Sequence, residues 1–225
     1  MRRTRKLLET KLCSRNLFKG INTWAVPIIR YSGPFLKWTI EELRQMDQRT
    51  RKLMTMHKAL HPRDDTDRLY VSRKEGGRGL ANIEDCVNTT IKALEEYTKK
   101  STERLITAAR ISDCNIWTVR DTTKTRKQKW EEKQLYGYFK RQTAEIAHEK
   151  SWSWLRRGNL KRETESLIIA AQDNAIRTNY VKAKIDRTQQ NSKCRMCGER
   201  DETVNHIISE CNKLHKENTK LVMTG

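Results

Sequence analysis

Apolar residues recur at three- and four-residue spacing along most of the chain, which is the pattern of amphipathic helices. Only three prolines and nine glycines interrupt this pattern, so long helical stretches can form between them. A helix is expected to begin at Thr39, because Glu42 stands three residues later and the pair fits a capping box. Further helices are expected from about Ile83 and over about 163–185. The sequence therefore predicts a mainly α fold, in an extended multi-helix arrangement.

One segment breaks the helical pattern. A short β-prone run, a charged turn and a glycine cluster follow one another over residues 69–80, which predicts one short β-hairpin there. The glycines also invite comparison with a phosphate-binding loop, but no Lys-Ser or Lys-Thr pair follows them. A turn that requires positive φ is the preferred interpretation of the cluster.

Turn-forming residues and a basic run between 111 and 129 predict a joint between two parts of the chain. The predicted organisation is a helical region with the hairpin at 1–110, the joint at 111–129, a helical linker region at 130–190 and a small metal-binding module at 191–225.

The chain is strongly basic, with 47 Lys or Arg against 28 Asp or Glu and a formal net charge of +19. Such an excess is expected to attract a polyanion, and nucleic acid is the natural candidate. Basic nuclear or ribosomal proteins and membrane-surface proteins share this imbalance, so charge alone fixes no function. No apolar run approaches the about 20 residues of a membrane span, and no secretory signal is recognisable. We therefore expect an intracellular protein with no membrane partner.

The last quarter of the chain carries four residues at metal-ligand spacing: Cys194, Cys197, His206 and Cys211. A Cys-x-x-Cys turn aims two thiols at one ion, and the later His and Cys complete a tetrahedral set. Four N and S donors leave no open position, which predicts one structural Zn²⁺. Because residues five apart lie about 140° apart on an ideal helix, we expect the helix to loosen and Cys211 to lie at its end. His215 is an alternative nitrogen ligand, although a solvated side chain is the preferred interpretation.

The basic excess lies in patches: residues 1–30 carry eight Lys or Arg against one acidic residue, and residues 120–162 carry thirteen against five. Trp152 and Trp154 lie within the later patch and could stack on unpaired bases. The alternative is that one Trp is in the core, the other is half exposed, and the arginines are merely solvated. The residues expected to contact nucleic acid are Arg2, Arg3, Arg5, Lys6, Arg126, Lys127, Lys129, Trp152, Arg156, Arg157, Lys161, Arg162, Arg177, Lys182 and Lys184.

Several motifs together resemble one protein family. They are 21–31, 37–39, 47–56, Leu60-His61-Pro62-Arg63, 67–70, 74–80, 155–158, Thr178-Asn179-Tyr180 and the Cys-Cys-His-Cys cluster. In this order they resemble the region after the reverse transcriptase domain of retrotransposon polyproteins that lack long terminal repeats. The resemblance implies a thumb-like region within 1–110, a linker and a zinc knuckle, positioned between a polymerase and a restriction-enzyme-like endonuclease. It also implies a nuclear location, or otherwise a cytoplasmic one.

No catalytic constellation is recognisable. The adjacent pair Asp64-Asp65 is interpreted as a solvated turn rather than as polymerase metal ligands, because no apolar strand flanks it. We therefore expect no enzyme, and the resemblance implies a fragment that holds template RNA, primer or target DNA for target-primed reverse transcription. Its expected partners are RNA and/or DNA and the remainder of the polyprotein. The alternative is a zinc-stabilised protein-interaction module or a non-functional relic.

Overall fold

A computed structural model describes residues 1–36, 38–108, 125–142 and 148–214. The described chain is mainly helical, as the periodicity predicts. It forms two compact units, residues 1–166 and 167–225. Most of the joint predicted at 111–129 lies outside the described residues. No helix in the described part of the chain is long and apolar enough to cross a membrane.

Two long helices stand among many short ones. In chain order the elements are α1 (Arg2–Leu8), α2 (Ser14–Gly20), a π-helix (Ile21–Ala25), α3 (Val26–Ser32), α4 (Ile40–Met56), α5 (Thr66–Tyr70), a 3-10 turn (Arg73–Glu75), α6 (Ile83–Lys100), α7 (Arg104–Ala108), α8 (Arg126–Glu132), α9 (Tyr138–Gln142), α10 (His148–Ser151), α11 (Ser153–Arg157), α12 (Arg162–Gln172), and two further π-helices, Val181–Ile185 and His206–Glu210.

The two long helices begin where the sequence predicts. Thr39 Oγ1 accepts a hydrogen bond from the Glu42 N–H at 3.2 Å, and Glu42 Oε2 accepts one from the Thr39 N–H at 2.8 Å. This reciprocal pair confirms the capping box at the start of α4. At the start of α6 the Asn82 side chain accepts a bond from the Asp85 N–H at 2.9 Å. The apolar faces of both helices meet through Leu43, Ile83 and Val87.

The main core of the first unit packs the N-terminal helices against the end of α4 and the segment around 69–80. Its large buried members are Leu8, Leu17, Phe18, Ile21, Met54, Leu69 and Leu80. Burying each such side chain contributes about 1.5–3 kcal/mol. Since these residues come from separate parts of the sequence, the core brings α1, α2 and the 69–80 segment together.

The predicted hairpin over 69–80 is wrong. The chain there forms the end of α5, the 3-10 turn and an irregular loop over residues 76–80 instead of paired strands. We call this loop the glycine loop. Helix α5 begins because the Asp65 side chain accepts the Arg68 N–H at 2.9 Å, which satisfies a backbone donor of the first turn. The capping residue therefore outweighs the β propensity of Leu69 and Tyr70, and only Val71, after the helix, is extended.

The glycine cluster supplies both unusual backbone angles and close contacts. Gly76 and Gly79 have φ values of +92° and +71°, which confirms the predicted positive-φ turn. A Cβ atom at Gly77 would lie 2.1 Å from the Val71 carbonyl oxygen. A side chain is therefore strained at the first two positions and sterically excluded at the third.

The helix predicted over 163–185 is shorter in the structure. Helix α12 ends at Gln172, and the chain resumes helical geometry only near Val181. Asn174 has a φ of +52°, a left-handed conformation that asparagine tolerates and that ends helices. The Ala175 N–H then closes the end on the Ala170 carbonyl at 2.8 Å.

A buried ionic network joins distant segments of the first unit. Glu165 accepts bonds from Arg73 at 2.8 and 2.9 Å, from Arg78 at 3.1 Å and from the Ser14 hydroxyl at 2.6 Å. Burial alone would raise the pKa of Glu165, but Arg78 and Arg73 lower it on balance. Asp64 lies 3.7 Å from Arg78 and supplies a second carboxylate.

The interpretation of Asp64-Asp65 as a solvated turn is wrong. The Asp64 and Asp65 side chains are each only 2% exposed. Asp64 faces Arg78, while Asp65 caps α5 and forms an ion pair with Lys133. Two carboxylates can remain buried because each has a cation beside it.

Replacing Glu165 by Gln should lower the free energy of unfolding by about 3–5 kcal/mol, because the fully buried Arg78 loses its hydrogen-bonded carboxylate and keeps only Asp64, at 3.7 Å. Chemical denaturation followed by circular dichroism measures the loss. Glu163→Gln is the matched control, since Glu163 is exposed and forms its ion pair with Arg162 at the surface, and should cost less than about 1 kcal/mol. Equal losses in the two variants would contradict the assigned role of Glu165.

Candidate functional site

The first two predicted metal ligands lie on a tight turn. The Gly198 N–H donates to the Cys194 carbonyl at 2.8 Å, and the Met196 N–H points to the Cys194 sulfur at 3.4 Å. Gly198 has a φ of +72°, which a residue with a Cβ rarely adopts. The glycine therefore allows the chain to leave the turn while both thiols face the same side.

Backbone pairing closes the base of this turn. The Cys194 N–H donates to the Arg200 carbonyl at 2.7 Å, and the Glu202 N–H donates to the Ser192 carbonyl at 2.8 Å. The Thr203 hydroxyl then accepts the His206 N–H at 3.0 Å at the start of the next helical segment. The segment that carries His206 and Cys211 is thus held next to the Cys-x-x-Cys turn.

A π-helix accounts for the five-residue spacing between the last two ligands, His206 and Cys211. His206–Glu210 is π-helical, and Cys211 follows it with extended angles of φ −81° and ψ 103°. Because π-helical bonds join residues five apart, side chains at this spacing come close to the same side. The prediction that the helix loosens and that Cys211 lies at its end is confirmed.

The four predicted ligands form one cluster. Their ligand atoms all lie within 4.8 Å of one another, with 4.0 Å between the Cys194 and Cys211 sulfurs and 3.3 Å between Cys197 Sγ and His206 Nε2. Zinc–sulfur bonds of about 2.3 Å at tetrahedral angles place two sulfurs about 3.8 Å apart. Among the described residues this is the one group of three or more His, Cys, Asp or Glu with such geometry. It is compatible with one zinc ion, and His215 lies outside the described residues.

The electrostatics of the cluster suit a bound cation. Burial raises the pKa of the Cys194 thiol, whereas the backbone N–H groups of Arg200 and Glu199 lower the pKa of Cys197 to about 6. A divalent ion favours the thiolate form of both. His206 is 2% exposed and turns Nε2 toward Cys197. A closed set of three sulfurs and one nitrogen leaves no position for a reactive water, so such an ion would stabilise the local fold.

Glu202 supports the cluster, and no spacing rule in the sequence reveals it. Its side chain is 1% exposed and accepts bonds from the Arg195 N–H at 2.9 Å, the Arg195 guanidinium at 2.6 and 2.8 Å, and the Asn179 N–H at 2.9 Å. Arg195 is the main reason that the pKa of Glu202 falls to about 2. Glu202 thereby ties the Cys-x-x-Cys turn to the segment around Asn179.

The structure brings two of the predicted basic stretches together in the first unit. The Ser14 N–H donates to the Leu160 carbonyl at 2.9 Å, and Arg162 donates to the Leu8 carbonyl. Arg15, which sequence reasoning missed, reaches the Arg157 carbonyl at 3.2 Å. We call the exposed cations of these two stretches the basic surface; it comprises Arg2, Arg3, Arg5, Lys6, Arg157 and Lys161.

The prediction that Trp152 stacks on unpaired bases is wrong in this structure. Trp152 is 1% exposed and lies under the glycine loop, where a Cβ on Gly76 would be 2.6 Å from its ring. The Arg68 guanidinium covers another side of the ring at 5.6 Å. Trp154 is half-buried, so the tryptophan pair follows the alternative of one core residue and one partly exposed residue.

Other predicted phosphate contacts already face carboxylates. Arg126 pairs with Asp85 at 2.9 Å and Asp67 at 3.6 Å, and Lys127 pairs with Glu75 at 2.9 Å. Arg162 pairs with Glu163, and in the second unit Arg177 pairs with Asp186. The remaining predicted residues are half-buried at Lys129, Arg156 and Lys182 and exposed at Lys184.

The chain matches no protein-family model, no curated protein and no solved structure. A proposal for its function therefore rests on the residues of this chain and on their geometry.

We expect the purified chain to contain about one zinc per molecule, since the four ligands form a closed set. Cys211→Ser should abolish stoichiometric zinc, whereas Cys86→Ser, outside the cluster, should retain it. Elemental analysis by mass spectrometry measures both. A chelator should also reduce the helical circular dichroism of wild type, because zinc binding and local folding are linked. An unchanged spectrum after complete metal removal would contradict the structural role.

Glu202→Gln should raise the dissociation constant for zinc by about 10- to 100-fold, the usual effect of losing a group that orients the ligands. Competition with a chromophoric chelator measures this constant. Glu199→Gln is the control, because Glu199 is exposed and lies on the same turn. Similar affinities for the two variants would show that Glu202 does not hold the turn.

Proposed function

We propose that this protein binds nucleic acid through the basic surface, with the zinc-type cluster serving as a structural knuckle. The observation that carries the proposal is the meeting of residues 8–15 with residues 156–162, which joins the end of α1, a helix with exposed cations, to the stretch that carries Arg157 and Lys161. The formal charge of +19 makes such a surface difficult to maintain without a polyanion.

The mode of binding follows from the kind of residues involved. Exposed Arg and Lys side chains contact phosphates and release condensed counterions, which gives affinity without base sequence information. Arg126 and Lys127 contribute less in this proposal, because Asp85, Asp67 and Glu75 already compensate their charges. Binding, rather than catalysis, is the proposed activity.

The proposed biological setting is a retrotransposon reverse transcriptase of the class without long terminal repeats. The motifs at 21–31 and 74–80, together with the Cys-Cys-His-Cys cluster, support it by their order along the chain. In that setting the protein would hold template RNA, primer or target DNA during target-primed reverse transcription in the nucleus. Its further partners would be the polymerase and endonuclease domains of the same polyprotein.

The double substitution of Arg157 and Lys161 by Ala should weaken binding to a labelled oligonucleotide and make it less salt-dependent. Each lost phosphate contact should reduce the slope of log K against log salt by about 0.7–0.9. Fluorescence anisotropy over a salt series measures the slope. The matched control is Arg49→Ala with Lys52→Ala, which removes two exposed cations of α4 outside the basic surface.

Equal slopes in these two double variants would contradict the assignment of the basic surface. Absence of binding by the zinc-loaded wild type, or affinity independent of salt, would contradict nucleic-acid binding itself. Either of the latter results would favour the alternative of a zinc-stabilised protein-interaction module.

A further inference from the structure

Large apolar side chains line the outer side of α3 and its flanking turns. Trp24 is 65% exposed, Ile28 49%, Tyr31 73% and Phe35 81%. Ile28 and Tyr31 lie in α3, about 60° apart at the α-helical period, while Trp24 lies in the preceding π-helix and Phe35 in the turn that follows. We call these four residues the aromatic face. Three aromatic rings so exposed on one short stretch of chain are unusual for a soluble surface and indicate a binding site.

The opposite side of the same stretch is fixed in the core. Val26 is 7% exposed, and Ile29 packs on the cluster that includes Val87 of α6. Gly33 approaches α6 so closely that a Cβ there would lie 2.8 Å from Val87. Helix α3 is therefore held against α6 and presents the aromatic face outward on a fixed support.

The stretch of chain that carries the aromatic face is itself rich in positive charge. Residues 10–40 contain no Asp or Glu and five cations, Lys11, Arg15, Lys19, Arg30 and Lys37. Arg3 donates to the Trp24 carbonyl at 3.0 Å, and Arg30 donates to the Thr90 hydroxyl at 3.0 Å. Arg3 is thereby held beside Trp24, and Arg30 directly precedes Tyr31 in the sequence.

We propose that the aromatic face binds single-stranded nucleic acid, with Trp24 and Tyr31 stacking on unpaired bases while Arg3 and Arg30 meet the backbone phosphates. The inference rests on the proposed function and assigns it a site for unpaired bases. Every base offers a π-face, so exposed rings beside cations recognise single strands without sequence preference. An apolar protein partner would use the rings equally, but it would leave unexplained the five cations, and no carboxylate, that residues 10–40 carry.

The test compares leucine and phenylalanine at the same positions. Trp24→Leu with Tyr31→Leu keeps large apolar side chains but removes both rings, whereas Trp24→Phe with Tyr31→Phe keeps rings. Tyr97→Leu is the control, because Tyr97 is a 58% exposed ring on α6 and is not one of the four residues of the aromatic face. The probes are a labelled single strand of about 12 nucleotides and the duplex of the same sequence.

We expect the leucine pair to weaken single-strand binding by about 5-fold or more for each stacked base. Duplex affinity and the salt slope should stay at the wild-type values, because no phosphate contact is removed. The phenylalanine pair and Tyr97→Leu should retain single-strand affinity within about 3-fold, since each leaves rings on the aromatic face.

Several outcomes would overturn the inference. If wild type binds and the leucine pair binds the single strand equally well, stacking is refuted while the proposed function stands. Equal losses on single strand and duplex would also refute it, because stacking acts on unpaired bases. If sedimentation shows self-association that the leucine pair weakens, with no change in single-strand binding, the face is a protein interface. If wild type binds no nucleic acid, the proposed function and this inference both fail.

Discussion

The buried carboxylate of Glu165 is the contact on which the organisation of the first unit depends. Arg73 approaches it from the 3-10 turn, Arg78 from the glycine loop and Ser14 from the start of α2. A charge in this position is tolerated only when its partners are in place, so the network fixes three distant segments at once. The same arrangement sets residues 8–15 beside residues 156–162. The basic surface is therefore a consequence of a buried ionic contact.

The Cys-Cys-His-Cys cluster is organised in a different way, by contacts close in sequence. The Gly198 turn aims two thiols, and the π-helix brings His206 and Cys211 to one side. Glu202 adds the longer contact, because it binds the turn through Arg195 and the preceding segment through Asn179. The cluster has the donor chemistry of a structural zinc site, and its support comes from hydrogen bonds to the backbone.

The proposed binding properties divide between two kinds of surface. Exposed lysines and arginines suit phosphates of any nucleic acid, whereas exposed rings suit bases that are unpaired. The buried Trp152 and the exposed Trp24 show why residue type does not decide between these roles. An indole ring under a glycine loop stabilises the fold, and the same ring on the outer side of α3 is available to a partner.

The sequence by itself determined the features that depend on a few neighbouring residues. These are the helical class, the capping box at Thr39, the positive-φ turn at Gly76 and the four clustered ligands with Cys211 at a helix end. Local geometry suffices for them, because caps, turns and Cys-x-x-Cys spacing act within a few residues. The hairpin predicted at 69–80 failed for a local reason, the Asp65 cap of α5, but the tertiary structure alone decided the rest. It buried Trp152 and Asp64 and paired Arg126 with Asp85. Those outcomes depend on residues distant in the chain, which periodicity and spacing cannot relate to one another.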